Sequence, residues 1–195
     1  MCVHKDNPVK GLTLAQVDGM FSKTFRCKGS EVKTWGQAGL DGSWGGSPLS
    51  LYGRNSASGT YGFFKENALC NGDYKDTVKE QPGSASVVQG VSEDRNGVGY
   101  SGIGYTTSGV RSVPLAAKQG DAFAPATYEN VIGGKYPLSR ALLVYINRAP
   151  GSALDPLVKE FAKFIFSKEG QEIVVKDGYY PLTAAIVREE LAKLE

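Results

Sequence analysis

A strand-to-helix junction occupies residues 53–66, GRNSASGTYGFFKE, and decides how we expect this part of the chain to fold. The run PLSLY at 48–52 predicts a short strand that leads into it. Tyr61, Phe64 and Ala68 follow at the spacing of one helix face. The chain therefore passes from a strand to the N-terminus of a helix within a few residues.

The predicted helix begins at Ser58, Gly59 and Thr60. A helix N-terminus has unpaired N–H groups and a partial positive charge, which favour an anion. Ser58 and Thr60 add hydroxyl donors, Gly59 allows close approach to the backbone, and Arg54 adds a planar set of donors. These residues predict a site for a tetrahedral oxyanion. The same residue types also cap helices that bind nothing, so an ordinary helix start is the alternative.

Two familiar phosphate-binding motifs do not fit this stretch. A P-loop requires Gly-Lys-Ser/Thr at its end, and no such triplet follows Gly59. The dinucleotide motif G-x-G-x-x-G does not follow a predicted strand either. The stretch therefore matches neither of these nucleotide-binding motifs.

Arg54-x-x-x-Ser58-Gly59-Thr60 followed by Phe63-Phe64 resembles a motif of the phosphate-binding proteins that serve ABC-type phosphate importers. Other stretches resemble the same family and occur in the same order along the chain. They are Asn7–Val17 with Met20–Ser22, Gly97–Tyr100, Tyr136–Arg140, and Phe161–Leu182. The resemblance covers nearly the whole chain.

This resemblance implies an α/β fold of the type II periplasmic-binding-protein kind, with an incomplete two-lobe architecture. Residues 1–138 would form the second lobe with the hinge and the oxyanion-binding helix start. Residues 139–195 would form the return strand and C-terminal helices of the first lobe. The family has a further N-terminal segment that supplies the rest of the ligand shell, including an acidic residue. This chain starts near the hinge, so a fragment or a truncated homologue is expected.

The resemblance also implies ligands, partners and location. Arg54, Ser58, Gly59 and Thr60 would contact inorganic phosphate, and the protein would work with the membrane permease of an ABC importer. A second chain or self-association would complete the missing lobe. The family is periplasmic or at the cell surface, whereas the start of this chain, MCVH, does not have the pattern of a signal peptide.

Composition excludes several other classes. The chain of 195 residues has 22 basic and 20 acidic side chains, a net charge of +2, and its basic residues are scattered. A nucleic-acid partner is not expected, because such a partner needs a clustered basic face. No apolar run approaches the roughly 18 residues of a membrane span. Length predicts one domain or two small lobes.

Strands alternate with helices along the chain, which independently predicts the α/β class. Strands are predicted at 48–52, 98–105, 110–115 and 141–147, the last one buried on both faces. Helices are predicted after Thr13 and at 58–68, 84–93, 155–166, 170–176 and 186–194. The helix at 155–166 is amphipathic, with its apolar residues on one face. That face consists of Leu157, Val158, Phe161, Phe164 and Ile165.

The cysteines and tryptophans leave alternatives open. Cys27 and Cys70 could form a disulfide, or could both remain reduced. Cys2 is then left as an exposed free thiol. Trp35 and Trp44 lie in the long loop at 22–46, where local core packing is favoured over a carbohydrate platform.

Three classes of function remain at this point. A phosphate-binding module is favoured, and the alternatives are a homologue that has lost binding and acts in assembly, and an enzyme on phosphate esters. Enzyme chemistry is disfavoured because His4 is the only histidine and Ser58 has no visible base. No cofactor or metal is expected, since no C-x-x-C motif is present. Without a covering segment, the C-terminal region should expose apolar surface and self-associate.

Overall fold

The computed structural model describes residues 1–194 and divides the chain into two compact units, Met1–Ser139 and Arg140–Glu195. The first unit mixes strands with helices, which confirms the α/β class. Assignment of the units to the lobes of a two-lobe protein stays a prediction. Within residues 1–194, no helix is long and apolar enough to cross a membrane.

Strands occur only in the first unit of the described chain. They are β1 Cys2–His4, β2 Leu12–Thr13, β3 Ser50–Arg54, β4 Lys79–Gln81, β5 Gly97–Gly99, β6 Val110–Ser112 and β7 Leu115–Ala116. The helices are α1 Leu14–Phe21, α2 Gly59–Leu69, α3 Ser84–Glu93, α4 Tyr128–Ile132, α5 Pro156–Phe166, α6 Lys168–Lys176 and α7 Ala184–Ala192. Short 3₁₀ turns lie at Gly42–Trp44 and Ile103–Tyr105.

Five strands within residues 1–194 form one sheet in the order β4-β3-β5-β1-β6. Strand β3 is parallel to both β4 and β5, while β1 is antiparallel to β5 and β6. Strands β2 and β7 form a separate parallel pair. The three parallel strands therefore direct their C-terminal ends to one edge of the sheet.

Alternating side chains on this sheet divide the core between its two faces. Val3 and Leu51 belong to a large cluster that includes Trp35 and Trp44, which confirms the core role of the tryptophans. Cys2 and Tyr52, which are next to Val3 and Leu51 in sequence, belong to a second cluster under α3. That cluster comprises Cys2, Tyr52, Val87, Val88, Val91 and Val110.

Cys2 is buried, so the prediction of an exposed thiol was wrong. It lies on β1 between two partner strands, and its side chain packs in the cluster under α3. Burial raises the pKa of the Cys2 thiol. Cys27 and Cys70 are joined in a disulfide.

The predicted strand at 98–105 is shorter than expected. It ends at Gly99, and a 3₁₀ turn occupies Ile103–Tyr105. The predicted strand at 110–115 divides into β6 and β7, which belong to different sheets. Pro114 lies between them and has no N–H to donate to a ladder.

Residues 141–147 form neither a strand nor a helix, which corrects the prediction of a buried strand. Their side chains are exposed except that of Ile146, which is half-buried, and Tyr145 is 88% exposed. Strand formation requires a neighbour that takes up the backbone N–H and C=O groups. Nothing within residues 1–194 pairs with this segment. Sequence pattern alone could not reveal that lack of a partner.

In the second unit, the helices form as predicted, and the apolar face of α5 is largely exposed. Leu157 is 80% exposed, and Phe161 and Phe164 are 59% and 46% exposed. Val158 is also exposed, and Ile165 is half-buried. The amphipathic pattern therefore predicted the helix correctly, but it did not show which residues pack against the apolar face. The expectation of exposed apolar surface is confirmed.

Candidate oxyanion site at the sheet edge

The C-terminal ends of β3, β4 and β5 lie at one edge of the main sheet. Arg54 is in register with Gln81 on β4, and Tyr52 is in register with Gly99 on β5. The loops after these strands therefore start side by side. In open α/β sheets, ligands bind beyond the carboxyl ends of parallel strands. This edge holds all four residues that the sequence predicted.

Helix α2 begins at Gly59 with Ser58 as its N-cap, one residue later than the predicted start. The Ser58 Oγ accepts a hydrogen bond from the Thr60 N–H at 3.1 Å. The Ser58 N–H donates to the Asn55 carbonyl at 3.1 Å, which closes a turn after β3. Since a hydroxyl both accepts and donates, the cap leaves the Ser58 proton available to an anion.

This helix start is open to solvent. Gly59 is exposed, and Ser58 and Thr60 are half-buried. The N–H groups of Gly59 and Tyr61 lie in the first turn, where a helix provides no internal acceptor. The segment can therefore offer both backbone and hydroxyl donors to an oxyanion from outside.

The Arg54 guanidinium contacts the loop that precedes α3. Its Nη1 donates to the Ser84 Oγ at 3.1 Å, and its Nη2 donates to the Pro82 carbonyl at 3.1 Å. The Arg54 Nε is buried and has no hydrogen-bond partner within residues 1–194. Arg54 therefore lies at the predicted edge of the sheet. Its guanidinium hydrogen bonds are made with the β4–α3 connection and the start of α3, and not with Ser58 or Thr60.

Ser84 and Ser101 are site neighbours that sequence reasoning missed. Ser84 is the first residue of α3, and its carbonyl accepts a hydrogen bond from the Ser101 Oγ at 3.3 Å. The starts of two helices, α2 and α3, therefore lie at the ends of adjacent parallel strands. Recognition of the parallel order of β4 and β3 would have placed Ser84 beside Arg54.

A nearby cavity of about 470 Å³ does not contain the predicted site. Two of its lysines are paired with carboxylates: Lys65 binds Asp73 at 3.1 Å, and Lys23 binds Asp76 at 3.0 Å. The third, Lys75, donates to the Gly19 carbonyl at 2.7 Å. Each lysine that lines the cavity therefore already has a partner within the protein. Among the described residues, no cluster of side chains suits a metal ion.

Comparison with known proteins defines the class. The sequence profile of the PBP superfamily domain matches residues 1–169, and the chain belongs to this superfamily. It is 56% identical over 193 residues to the phosphate-binding protein PstS of Pseudomonas aeruginosa, which covers 98% of this chain. It is 28% identical over 186 residues to the protein SphX of Synechococcus elongatus.

The chain spans 60% of the length of the Pseudomonas protein and 52% of the length of the Synechococcus protein. Among solved structures, it matches a Clostridium perfringens protein assigned as a phosphate ABC transporter substrate-binding protein, which was solved with bound phosphate. The TM-score is 0.70 at 24% identity, over 93% of this chain and 67% of that one. An ABC-type phosphate transport receptor from Vibrio cholerae matches with a TM-score of 0.65 at 20% identity. These likenesses support the fold.

Proposed function

We propose that this chain supplies part of a phosphate-binding site in the solute-binding component of an ABC importer. The observation that carries the proposal is the solvent-open start of α2, where Ser58, Gly59 and Thr60 present donors in the turn region that follows Arg54 at the end of β3. The relatives named for phosphate binding support the choice of anion. Binding, rather than catalysis, is the proposed activity.

The donors of this half-site favour any tetrahedral oxyanion. Discrimination of phosphate from sulfate requires an acceptor for the phosphate proton, and Arg54, Ser58, Gly59 and Thr60 chiefly supply donors. We therefore expect weak and poorly selective binding by this chain alone. A longer protein that contains the remaining ligands would bind more tightly, at the periplasmic or outer cell surface, and would deliver phosphate to a membrane permease.

Calorimetric titration with phosphate and then sulfate, at low ionic strength, tests the proposal. Arg54→Ala should abolish measurable binding, whereas Arg26→Ala, which removes the same charge from an exposed position, should change the Kd less than about twofold. Loss of binding in both variants would indicate a general charge effect and contradict the site. Sub-micromolar affinity with strong rejection of sulfate would contradict the half-site character.

A second function, completion by another polypeptide, is favoured by the apolar surface of the second unit. Leu157, Phe161 and Phe164 are exposed on one helix, and the segment 142–145 is exposed beside the unit boundary in sequence. Exposed apolar area of this kind marks an interaction surface. We expect self-association in light scattering. The double variant Leu157→Lys/Phe161→Lys should reduce it, whereas Lys159→Ala on the same helix should not. A wild-type monomer at high concentration would exclude self-association.

A further inference from the structure

Two tyrosines, Tyr100, which is buried, and Tyr74, which is half-buried, bind the backbone at either end of the segment that carries the site. The Tyr100 hydroxyl donates to the Arg54 carbonyl at 3.4 Å, and the Tyr74 hydroxyl donates to the Tyr61 carbonyl at 3.0 Å. We infer that Tyr74 and Tyr100 are positioning residues that hold the Arg54–Tyr61 segment in its anion-binding conformation. The inference rests on the proposed function.

Ring packing aligns each hydroxyl with its carbonyl. The Tyr100 ring stacks on Phe64 of α2, with 4.0 Å between ring centroids and 9° between planes. The Tyr74 ring lies 4.5 Å from that of Tyr61. Phe21 of α1 closes the cluster edge-on, 5.2 Å from Phe64 and 5.8 Å from Tyr100. The phenol groups are therefore anchored by α2 itself and by the core behind it.

Both hydroxyls remain protonated at all ordinary pH values. Burial raises the pKa of Tyr100 to about 12. Burial, together with the neighbouring Tyr100 hydroxyl, raises the pKa of Tyr74 well above its usual range. Each phenol is therefore a permanent donor, and the two bonds do not switch with pH.

Gly53 gives Tyr100 access to the Arg54 carbonyl. A Cβ added at Gly53 would lie 2.8 Å from the Tyr100 Cε1 and 2.9 Å from its hydroxyl oxygen. Such contacts are too close to be tolerated without movement of the ring. Glycine at position 53 therefore leaves room for the Tyr100 ring, whose hydroxyl donates to the Arg54 carbonyl.

These contacts limit the freedom of a short segment. Its first carbonyl is bound by Tyr100, its last by Tyr74, and the turn from Asn55 to Ser58 lies between them. A site whose donors are fixed before the ligand arrives does not lose their conformational entropy on binding. Removal of the hydroxyls should weaken anion binding even though neither phenol contacts the anion.

The test uses Tyr74→Phe, Tyr100→Phe and the double variant, all of which keep the rings. Tyr52→Phe is the matched control, because Tyr52 lies on the same strand as Arg54 but its hydroxyl binds Asp94 and Lys79. Amide hydrogen exchange of residues 54–61 and calorimetric titration with inorganic phosphate are measured for each variant. Each single variant should weaken binding about fivefold, from the loss of one hydrogen bond.

Faster exchange confined to residues 54–61 in the double variant, and absent in Tyr52→Phe, would support the positioning role. Unchanged exchange there, or an equal increase in Tyr52→Phe, would overturn it. If the wild-type chain binds no phosphate, the proposed function fails, and the exchange data still decide whether the tyrosines hold the segment.

Discussion

Arg54 and Ser84 are joined by a hydrogen bond of 3.1 Å between the Nη1 and the Oγ atoms, across the ends of two adjacent parallel strands. The bond holds the guanidinium against the start of α3 before any ligand arrives. Since guanidinium donors recognise oxyanions by a fixed planar geometry, the orientation of Arg54 should affect binding.

Ser84→Ala should therefore weaken phosphate binding about threefold to tenfold, since one charge-assisted hydrogen bond is lost. Calorimetric titration provides the measurement. Ser86→Ala is the control, because Ser86 lies one half-turn further along α3. Equal binding by wild type and Ser84→Ala would show that Arg54 does not depend on this partner.

Ser58 has two roles that two substitutions can separate. Ser58→Ala removes the acceptor for the Thr60 N–H and should lower the free energy of unfolding by about 1 kcal/mol. Ser58→Gly should lower it by only about 0.3 kcal/mol, because glycine is tolerated at an N-cap. Both remove the hydroxyl donor, so both should weaken phosphate binding similarly. Urea unfolding and calorimetry provide the two readouts. Affinity that follows stability instead would contradict a direct role for the hydroxyl.

Local signals in the sequence were enough to place the helix starts. Thr13 forms a capping box with Gln16, Asp155 caps the helix that begins at Pro156, and Ser84–Glu93 has the predicted bounds. Each of these depends on side-chain and backbone contacts within a few residues. The strand-to-helix junction before Ser58 is of the same kind, which is why the candidate site could be placed at the start of α2.

The hydrophobic pattern of the sequence could not predict which segments pair when they are distant along the chain. The segment 141–147 has strand composition, but its state depends on a neighbour that the pattern does not contain. Cys2 is buried because it lies on an inner strand of a sheet, between β5 and β6, which are about a hundred residues away in sequence. Ser84 was missed for the same reason, because its contact with Arg54 follows from the order of strands.

Gly53 and Gly62 form a matched pair for testing the Tyr100 contact. Gly53→Ala places a Cβ against the Tyr100 ring and should lower the free energy of unfolding by about 1–3 kcal/mol. Gly62→Ala meets nothing within 4 Å on the exposed side of α2 and should raise it by about 0.5–1 kcal/mol. Urea unfolding of both variants is the measurement. If both variants lower the free energy of unfolding, the loss at Gly53 would be due to the backbone and not to a clash with the Tyr100 ring.

The disulfide between Cys27 and Cys70 should contribute strongly to stability, because it closes a loop with a sequence separation of 43. Loss of the bond in Cys27→Ala/Cys70→Ala should lower the free energy of unfolding by about 2–4 kcal/mol. Phe25, Lys28, Cys70 and Asn71 have left-handed φ values beside the bond, so relaxation there should offset part of the loss. Wild type measured in reductant is the control and should match the variant. An unchanged unfolding free energy would exclude a stabilising role.

Asp18 should make the stability of the protein depend on pH. The carboxyl is buried, and burial raises its pKa above 3.8, although the N–H groups of Gly29 and Cys27 favour the ionised form. The folded state therefore holds the proton more tightly than the unfolded state. This contribution to stability is fully present below pH 3.8 and is lost as the pH rises through the folded-state pKa.

Asp18→Asn keeps an oxygen that can accept from the N–H groups of Cys27 and Gly29, whose bonds to Asp18 measure 2.9 and 3.1 Å. It removes the buried charge. We therefore expect the unfolding free energy of Asp18→Asn, relative to wild type, to increase between about pH 4 and pH 7. Urea unfolding across that range is the measurement, with the exposed Asp41→Asn as the control. A difference that does not change with pH would show that Asp18 does not titrate in this range, and that its hydrogen bonds compensate for burial of the charge.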